Sequence, residues 1–160
     1  MNVLGIDPGL TQTGYGIINV SGRDTKLVDY GIIKPKTDHP LPKRLITIFD
    51  DVGEIISQFN PSVMVIEDIF YGKNIRSTLM LGHARGAALL AAAQKNIPIY
   101  EFSPRKVKQA LTGNGNAHKQ QVQFMVKSVL HLDEIPQPED ASDALAICLC
   151  HIRQFREGDL

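Results

Sequence analysis

The 160-residue chain has no tryptophan, only two cysteines, and no excess of charge, with 17 basic and 17 acidic side chains. Aromatic residues make up only 6 % of it. Each scarcity excludes something. The longest unbroken apolar run, Ala87 to Ala93, is too short to cross a bilayer, so no membrane partner is expected. Asp7 arrives where a secretory leader would still be apolar, which makes the cytoplasm the expected compartment. Cys148 and Cys150 stand two positions apart, where neighbours on a helix point in different directions. A disulfide between them is not expected, and no further ligands surround them to make a zinc site. Both read as small buried apolar residues. The five histidines are scattered. With 43 % hydrophobic and 21 % charged residues, the composition is that of an ordinary globular chain. A single domain over residues 1–160 is expected from the length.

The zero net charge hides a division. Residues 1–68 carry nine acids and six bases, a net −3. Residues 69–130 carry nine bases against Glu101 alone, a net +8, and residues 131–160 return to −5. A basic middle between acidic ends points to a polyanionic partner beside a carboxylate site, with solvated helix faces as the plain alternative.

Hydrophobic periodicity orders the elements. Val3, Leu4 and Ile6 form a short strand ending at Asp7, where Pro8-Gly9 turns the chain. Thr13 to Val20 and Lys26 to Lys34 follow as strands with short connections, so an antiparallel meander is predicted. Gly14 and Gly16 imply close approach of another backbone. A loop with Pro35, Pro40 and Pro42 leads to a helix through Leu45, Ile48, Phe49, Val52, Ile55, Ile56 and Phe59. Val63 to Ile66 is a continuous apolar run, the pattern of a strand covered on both faces and parallel to an earlier one. An alanine-rich helix over Ile75–Lys95, a strand over Ile97–Phe102 and helices over Pro104–Leu111, His118–Leu130 and Glu139–Phe155 complete the chain. This order specifies an α/β fold: a mixed five-stranded sheet flanked by helices, of ribonuclease H-like architecture.

Asp7 and Glu67 close two of the apolar strands. If those strands are parallel neighbours, both carboxylates leave the same sheet edge about 5 Å apart. Asp140 and Asp143 share one face at the start of the last helix. Four gathered acids are tolerable only with cations or protons among them. Oxygen ligands without His or Cys suit Mg²⁺ or Mn²⁺, and two such ions about 4 Å apart can drive phosphodiester hydrolysis. Helix-dipole complementarity explains Asp140 and Asp143 without any such role, and turn capping explains Asp7. Glu67, a charge ending a buried strand, is harder to explain without a partner.

Several segments together, GIDPGLTQTGYG, VIEDIFYGKN, LGHARGAALLAA, PRKVKQALTGNGNAHKQQV and PEDASDALA, resemble the RuvC family of bacterial Holliday-junction endonucleases, in order and nearly end to end. The resemblance implies a homodimer that nicks two strands of like polarity across a four-way DNA junction, uses Mg²⁺, leaves ligatable ends and works with RuvA and RuvB. It places the family's catalytic acids on Asp7, Glu67, Asp140 and Asp143, its base-stacking aromatic on Phe70, and its DNA-contacting lysines on Lys108 and Lys119. Lys73 and Asn74, in the loop with Phe70, and Arg76 after them join the expected DNA contacts. Arg105 and Lys108, three apart on one helix face, suit a phosphate backbone, and the GNGN turn after them could aim amides at a phosphate. Asp68 departs from the family pattern, in which an amide is common; strand alternation turns it away from Glu67.

Three rivals remain at this point. GIDPGLTQTG is like the first phosphate hairpin of actin- or sugar-kinase-like ATPases, which need a second such loop that does not follow. A ribonuclease H-like enzyme acting on RNA would carry the same acids. A non-catalytic binding protein on this scaffold would have little use for all four.

Overall fold

The computed structural model describes residues 1–69 and 72–158, the last three of these by backbone alone. The chain runs β1 (Asn2–Asp7), β2 (Thr13–Ser21), β3 (Asp24–Ile33), α1 (Leu41–Phe59), β4 (Val63–Glu67), α2 (Ile75–Gln94), β5 (Ile99–Phe102), α3 (Pro104–Thr112), α4 (Lys119–Val129) and α5 (Glu139–Gly158). The strands form one sheet in the order β3-β2-β1-β4-β5. β1, β2 and β3 pair antiparallel, while β4 lies parallel to β1 and β5 parallel to β4. An antiparallel meander continued by parallel strands, with helices on both faces, is the ribonuclease H-like arrangement expected.

The boundaries shift at two places for local reasons. α1 begins at Leu41, so Pro42 lies in its first turn rather than in the preceding loop. Proline lacks an N–H that the first turn would leave unbonded anyway, and its fixed φ suits a helix start. β5 begins at Ile99, two residues later than the apolar run implies, because Pro98 precedes it and offers the sheet only its carbonyl, to Met64 N at 2.9 Å.

Strand alternation sorts the core into two layers. Val3, Ile18, Val63 and Val65 face α3, α4 and α5, packing with Leu145, Cys148 and Leu149. Leu4, Ile6, Ile17, Met64 and Ile66 face α1 and α2, packing with Ile48, Val52, Ala84 and Ala88. β4 is thus covered on both faces, and its residues Val63–Ile66 are all buried. The same alternation carries Asp7 and Glu67 to the α5 side and Asp68 to the α2 side.

α5 lies unusually close to the sheet. A Cβ at Gly5 would stand 2.1 Å from the carbonyl oxygen of Ala144, and one at Gly14 would stand 2.0 Å from that of Asp140. Gly14 thus meets a second backbone, as its position in the strand implied, whereas a Cβ at Gly16 would first meet the Leu145 side chain, at 2.6 Å. Cys148, buried in α5, points its thiol at the carbonyls of Val3 (3.6 Å) and Gly16 (3.5 Å). Both cysteines are free and buried.

Candidate metal centre and its basic wall

The register of β1 and β4 pairs Ile6 with Ile66, which sets Asp7 and Glu67 side by side at the carboxyl ends of two parallel strands. The glycine trough in β1 and β2 lets the first turn of α5 descend onto the same edge. Oxygen atoms of Asp7, Asp140 and Asp143 consequently come within 4.8 Å of one another. Glu67 joins through a hydrogen bond with Asp7. The structure therefore brings all four acids to one edge.

Electrostatics at this edge are severe. Burial, followed by the charges of Glu67, Asp143 and Asp140, pushes the Asp7 carboxyl from 3.8 up to about 9. Burial also raises Glu67, partly offset by its hydrogen bond with Asp7 and by the charges of Lys119 and Lys108. Asp143 is raised by burial too, against the pull of Lys119. Without cations, the cluster relieves its repulsion by keeping a proton on Asp7. Convergent oxygen donors, half-buried and short of counter-charge, are the donor set that hard divalent cations prefer, so the residues fit Mg²⁺ or Mn²⁺.

One wall is basic. Lys119, the first residue of α4, reaches Asp143 at 3.0 Å and Glu139 at 3.1 Å. Burial alone would lower its ammonium pKa, but the hydrogen bonds to Asp143 and Glu139 outweigh this and raise it. Lys108 and Lys119 line, with Glu67 and Asp143, an open cavity of about 210 Å³ between α3, α4 and α5.

The other expected DNA contacts are dispersed. Arg105 is exposed and lies against Gly115, outside that cavity. Lys73 is exposed ahead of α2. Asn74 caps α2, its side-chain oxygen accepting from Ser77 N at 3.2 Å, a structural use not anticipated. Arg76 lies in a separate cavity with Arg44 and Thr11, beside the β1–β2 turn. Phe70 lies outside the described residues.

The GNGN turn does not offer its amides to a ligand. Gly113 N donates to the carbonyl of Gln109 at 2.9 Å, Asn114 N to the Thr112 hydroxyl at 3.1 Å, Gly115 N to the Gln109 side chain at 2.9 Å and Asn116 N to the Asn114 side chain at 2.9 Å. These local acceptors satisfy the turn from within, as short polar side chains commonly do.

Two residues escaped the sequence reading. Gln12 donates its side-chain amide to the Asp140 carboxylate across 128 residues of sequence. Arg44 holds the β1–β2 turn through the Leu10 carbonyl at 3.0 Å. A glutamine in a turn and an arginine on a helix carry no local signal of such contacts.

Comparison with known proteins agrees with this geometry. The family model for "Crossover junction endodeoxyribonuclease RuvC" matches residues 3–151. The protein of that name from Desulforamulus reducens is 48 % identical over 151 residues, covering 94 % of this chain and 93 % of the relative. The one from Alkaliphilus oremlandii is 46 % identical over 151 residues, covering 94 % and 92 %. Thermus thermophilus RuvC, solved in complex with a Holliday junction substrate, superposes with a TM-score of 0.93 at 37 % identity, over 99 % of this chain and 96 % of that one. Fold, acid edge and end-to-end similarity lead to one assignment: the chain belongs to the RuvC family.

Proposed function

We propose that this chain is a structure-selective DNA endonuclease that resolves Holliday junctions in recombination and repair, by divalent-cation-dependent phosphodiester hydrolysis. The observation that carries the reading is the convergence of Asp7, Asp140 and Asp143 within 4.8 Å, with Glu67 bonded to Asp7 and Lys119 at the rim. The sequence similarity to junction-cutting relatives supports the substrate. Mg²⁺ is the cofactor proposed, with Mn²⁺ able to replace it and two ions per site. The unit proposed is one nuclease domain over residues 1–160, acting in the cytoplasm as a homodimer, with RuvA and RuvB as partners. A two-fold dimer would present two cutting sites to a junction that is itself nearly two-fold, and so make symmetric nicks.

Each residue has a distinct task in this reading. Asp7, Glu67, Asp140 and Asp143 would hold the cations, Asp7 in its ionised form. The cations supply activation of water and stabilisation of the leaving oxygen. Gln12 fixes the carboxylate of Asp140 through its amide. Lys108 and Lys119 would hold the phosphate backbone along the cavity, Lys119 from its place beside Asp143 and Glu139. Lys73, Asn74, Arg76 and Arg105 make outlying backbone contacts, and Phe70 supports an unstacked base.

Labelled four-way junctions, duplex and RNA–DNA hybrid of equal length, each incubated with the protein and Mg²⁺, test the reading. Junctions are expected to be nicked selectively. Equal cutting of all three, or preference for the hybrid, defeats it. Glu67→Gln should still bind junctions yet cleave them ~100-fold or more slower, because charge at the cations is what the acid contributes. Undiminished cleavage by that variant removes Glu67 from the site.

A further inference from the structure

Arg85 counts toward the basic middle of the sequence, yet the fold turns its charge inward. Its side chain is only 12 % exposed although it sits on α2, on the opposite face of the sheet from α5. Nε donates to the main-chain carbonyl of Glu67 at 3.1 Å. Nη2 lies 2.7 Å from the Glu101 carboxylate and 3.9 Å from that of Asp68. The acid that departs from the family pattern therefore faces a cation on the α2 side of the sheet.

The Glu67 carbonyl belongs to the peptide unit that ends β4. The N–H of the same unit, that of Asp68, donates to the carbonyl of Phe102 at 2.9 Å. That peptide plane is thus gripped at both its oxygen and its nitrogen, by α2 on one side and β5 on the other. Fixing this plane fixes ψ of Glu67, the torsion next to the atom that carries its side chain. Nε carries the hydrogen bond to the carbonyl while the charge at Nη2 pairs with Glu101, two attachments that the single point charge of an ammonium cannot make together. Glu101 in turn balances the charge that the grip requires.

We infer that Arg85 is a positioning residue for Glu67: by pinning the Glu67–Asp68 peptide from the far face of the sheet, it holds the Glu67 carboxyl beside Asp7 at the acid edge. This rests on the proposed cation-dependent reading, and it goes beyond that reading by giving the acid edge a support on α2.

Mn²⁺ binding to the DNA-free protein, followed by electron paramagnetic resonance, tests the inference without requiring cleavage. Arg85→Ala is expected to weaken Mn²⁺ roughly 10-fold, as loss of a residue that orients a ligand does. Its junction affinity in EDTA should stay within about twofold, because no contact to DNA is lost. Cleavage at saturating Mg²⁺ should fall roughly 10- to 100-fold, with kcat carrying the loss and KM unchanged, the signature of a misplaced group. Arg85→Lys should recover only part of this. In a Glu67→Gln background, Arg85→Ala should cost nothing further, since the two act through one group. Should Arg85→Ala fail to fold, Glu101→Gln, at a half-exposed site, must show a smaller weakening of Mn²⁺, about threefold. Unchanged Mn²⁺ affinity in the folded variants, full recovery by lysine, or losses that multiply with Glu67→Gln would each overturn the inference. If the wild-type protein binds Mn²⁺ as expected but leaves junctions uncut, the substrate reading fails, and the Mn²⁺ arm still decides the role of Arg85.

Discussion

The two faces of the sheet are covered by helices of similar length packed in opposite ways. α5 approaches backbone to backbone, its carbonyls resting where Gly5 and Gly14 leave no side chain. α2 stands off on a row of methyl groups, burying Ala84, Ala88, Ala91 and Ala92 while Leu79 and Leu90 remain more than 60 % exposed. The first arrangement leaves no slack, and it is the one that delivers Asp140 and Asp143. The second tolerates change at its outer surface and reaches the acid edge through single side chains, Arg85 at the Glu67 carbonyl and Leu81 in a cavity beside Asp7 and Glu67. Precision is thus concentrated on one face, and the difference can be broken experimentally from either side.

The largest expected effect comes from filling the trough. Gly14→Ala puts a methyl group 2.0 Å from the Asp140 carbonyl, backbone against backbone, so α5 must move outward. Overpacking of a close-packed contact costs about 3 kcal/mol at the upper end of its ordinary range. Chemical denaturation should register that loss, and cleavage should fall with it because Asp140 moves with the helix. A variant with wild-type stability would show that the helix has room the geometry denies it.

Next in size is the electrostatic strain that the close approach creates. Asp7 rises from 3.8 to about 9 in the folded, cation-free protein, so the native state holds a proton that the unfolded chain has released. Stability must then fall as pH rises through that window, since the folded state binds more protons than the unfolded one. Glu67 and Asp143, both raised by burial, act in the same direction. Thermal unfolding in EDTA should therefore show a midpoint that declines from pH 5 to pH 9. Asp7→Asn should flatten the decline. Mg²⁺ at 100 times its dissociation constant should return about 2.7 kcal/mol to the wild type and much less to the variant. A wild-type midpoint that rises over this range contradicts the buried proton.

Much of this arrangement was legible in the sequence because it depends on periodicity and on chain ends. Their positions at the ends of two apolar strands placed Asp7 and Glu67 at one sheet edge, alternation turned Asp68 away from Glu67, and three-residue spacing placed Asp140 and Asp143 together. The glycines of β2 announced a close neighbour without naming α5. What stayed hidden depends on contacts between residues distant in sequence. Gln12 meets Asp140, and Arg85 turns inward to Glu67, Asp68 and Glu101. The GNGN amides were misread because local side chains from Gln109, Thr112 and Asn114 satisfy them first.

Lys108 sharpens the comparison at the rim. It lines the cavity beside Glu67, and no acid pairs with it within 4 Å among the described residues, whereas Lys119 is tied to Asp143 and Glu139. Lys108→Ala should reduce the salt dependence of junction binding by about one counterion. Lys119→Ala should do the same only with a divalent cation present, because in EDTA its charge is already committed to carboxylates. Equal slopes for both variants in EDTA would show that Lys119 leaves Asp143 for phosphate without help.

The smallest effect tests the loose face directly. Gly86 lies in the interior of α2, and a Cβ built there meets nothing within 4 Å. Glycine in a helix interior costs roughly 0.5–1 kcal/mol relative to alanine, because the unfolded chain loses more freedom on folding. With no steric cost to set against that gain, Gly86→Ala should raise the denaturation midpoint by a corresponding amount. The same substitution, glycine to alanine, then has opposite signs on the two faces, destabilising at Gly14 and stabilising at Gly86. A destabilised Gly86→Ala would mean that the outer surface of α2 is covered in solution, and sedimentation of the variant against the wild type would reveal whether a second copy of the chain covers it.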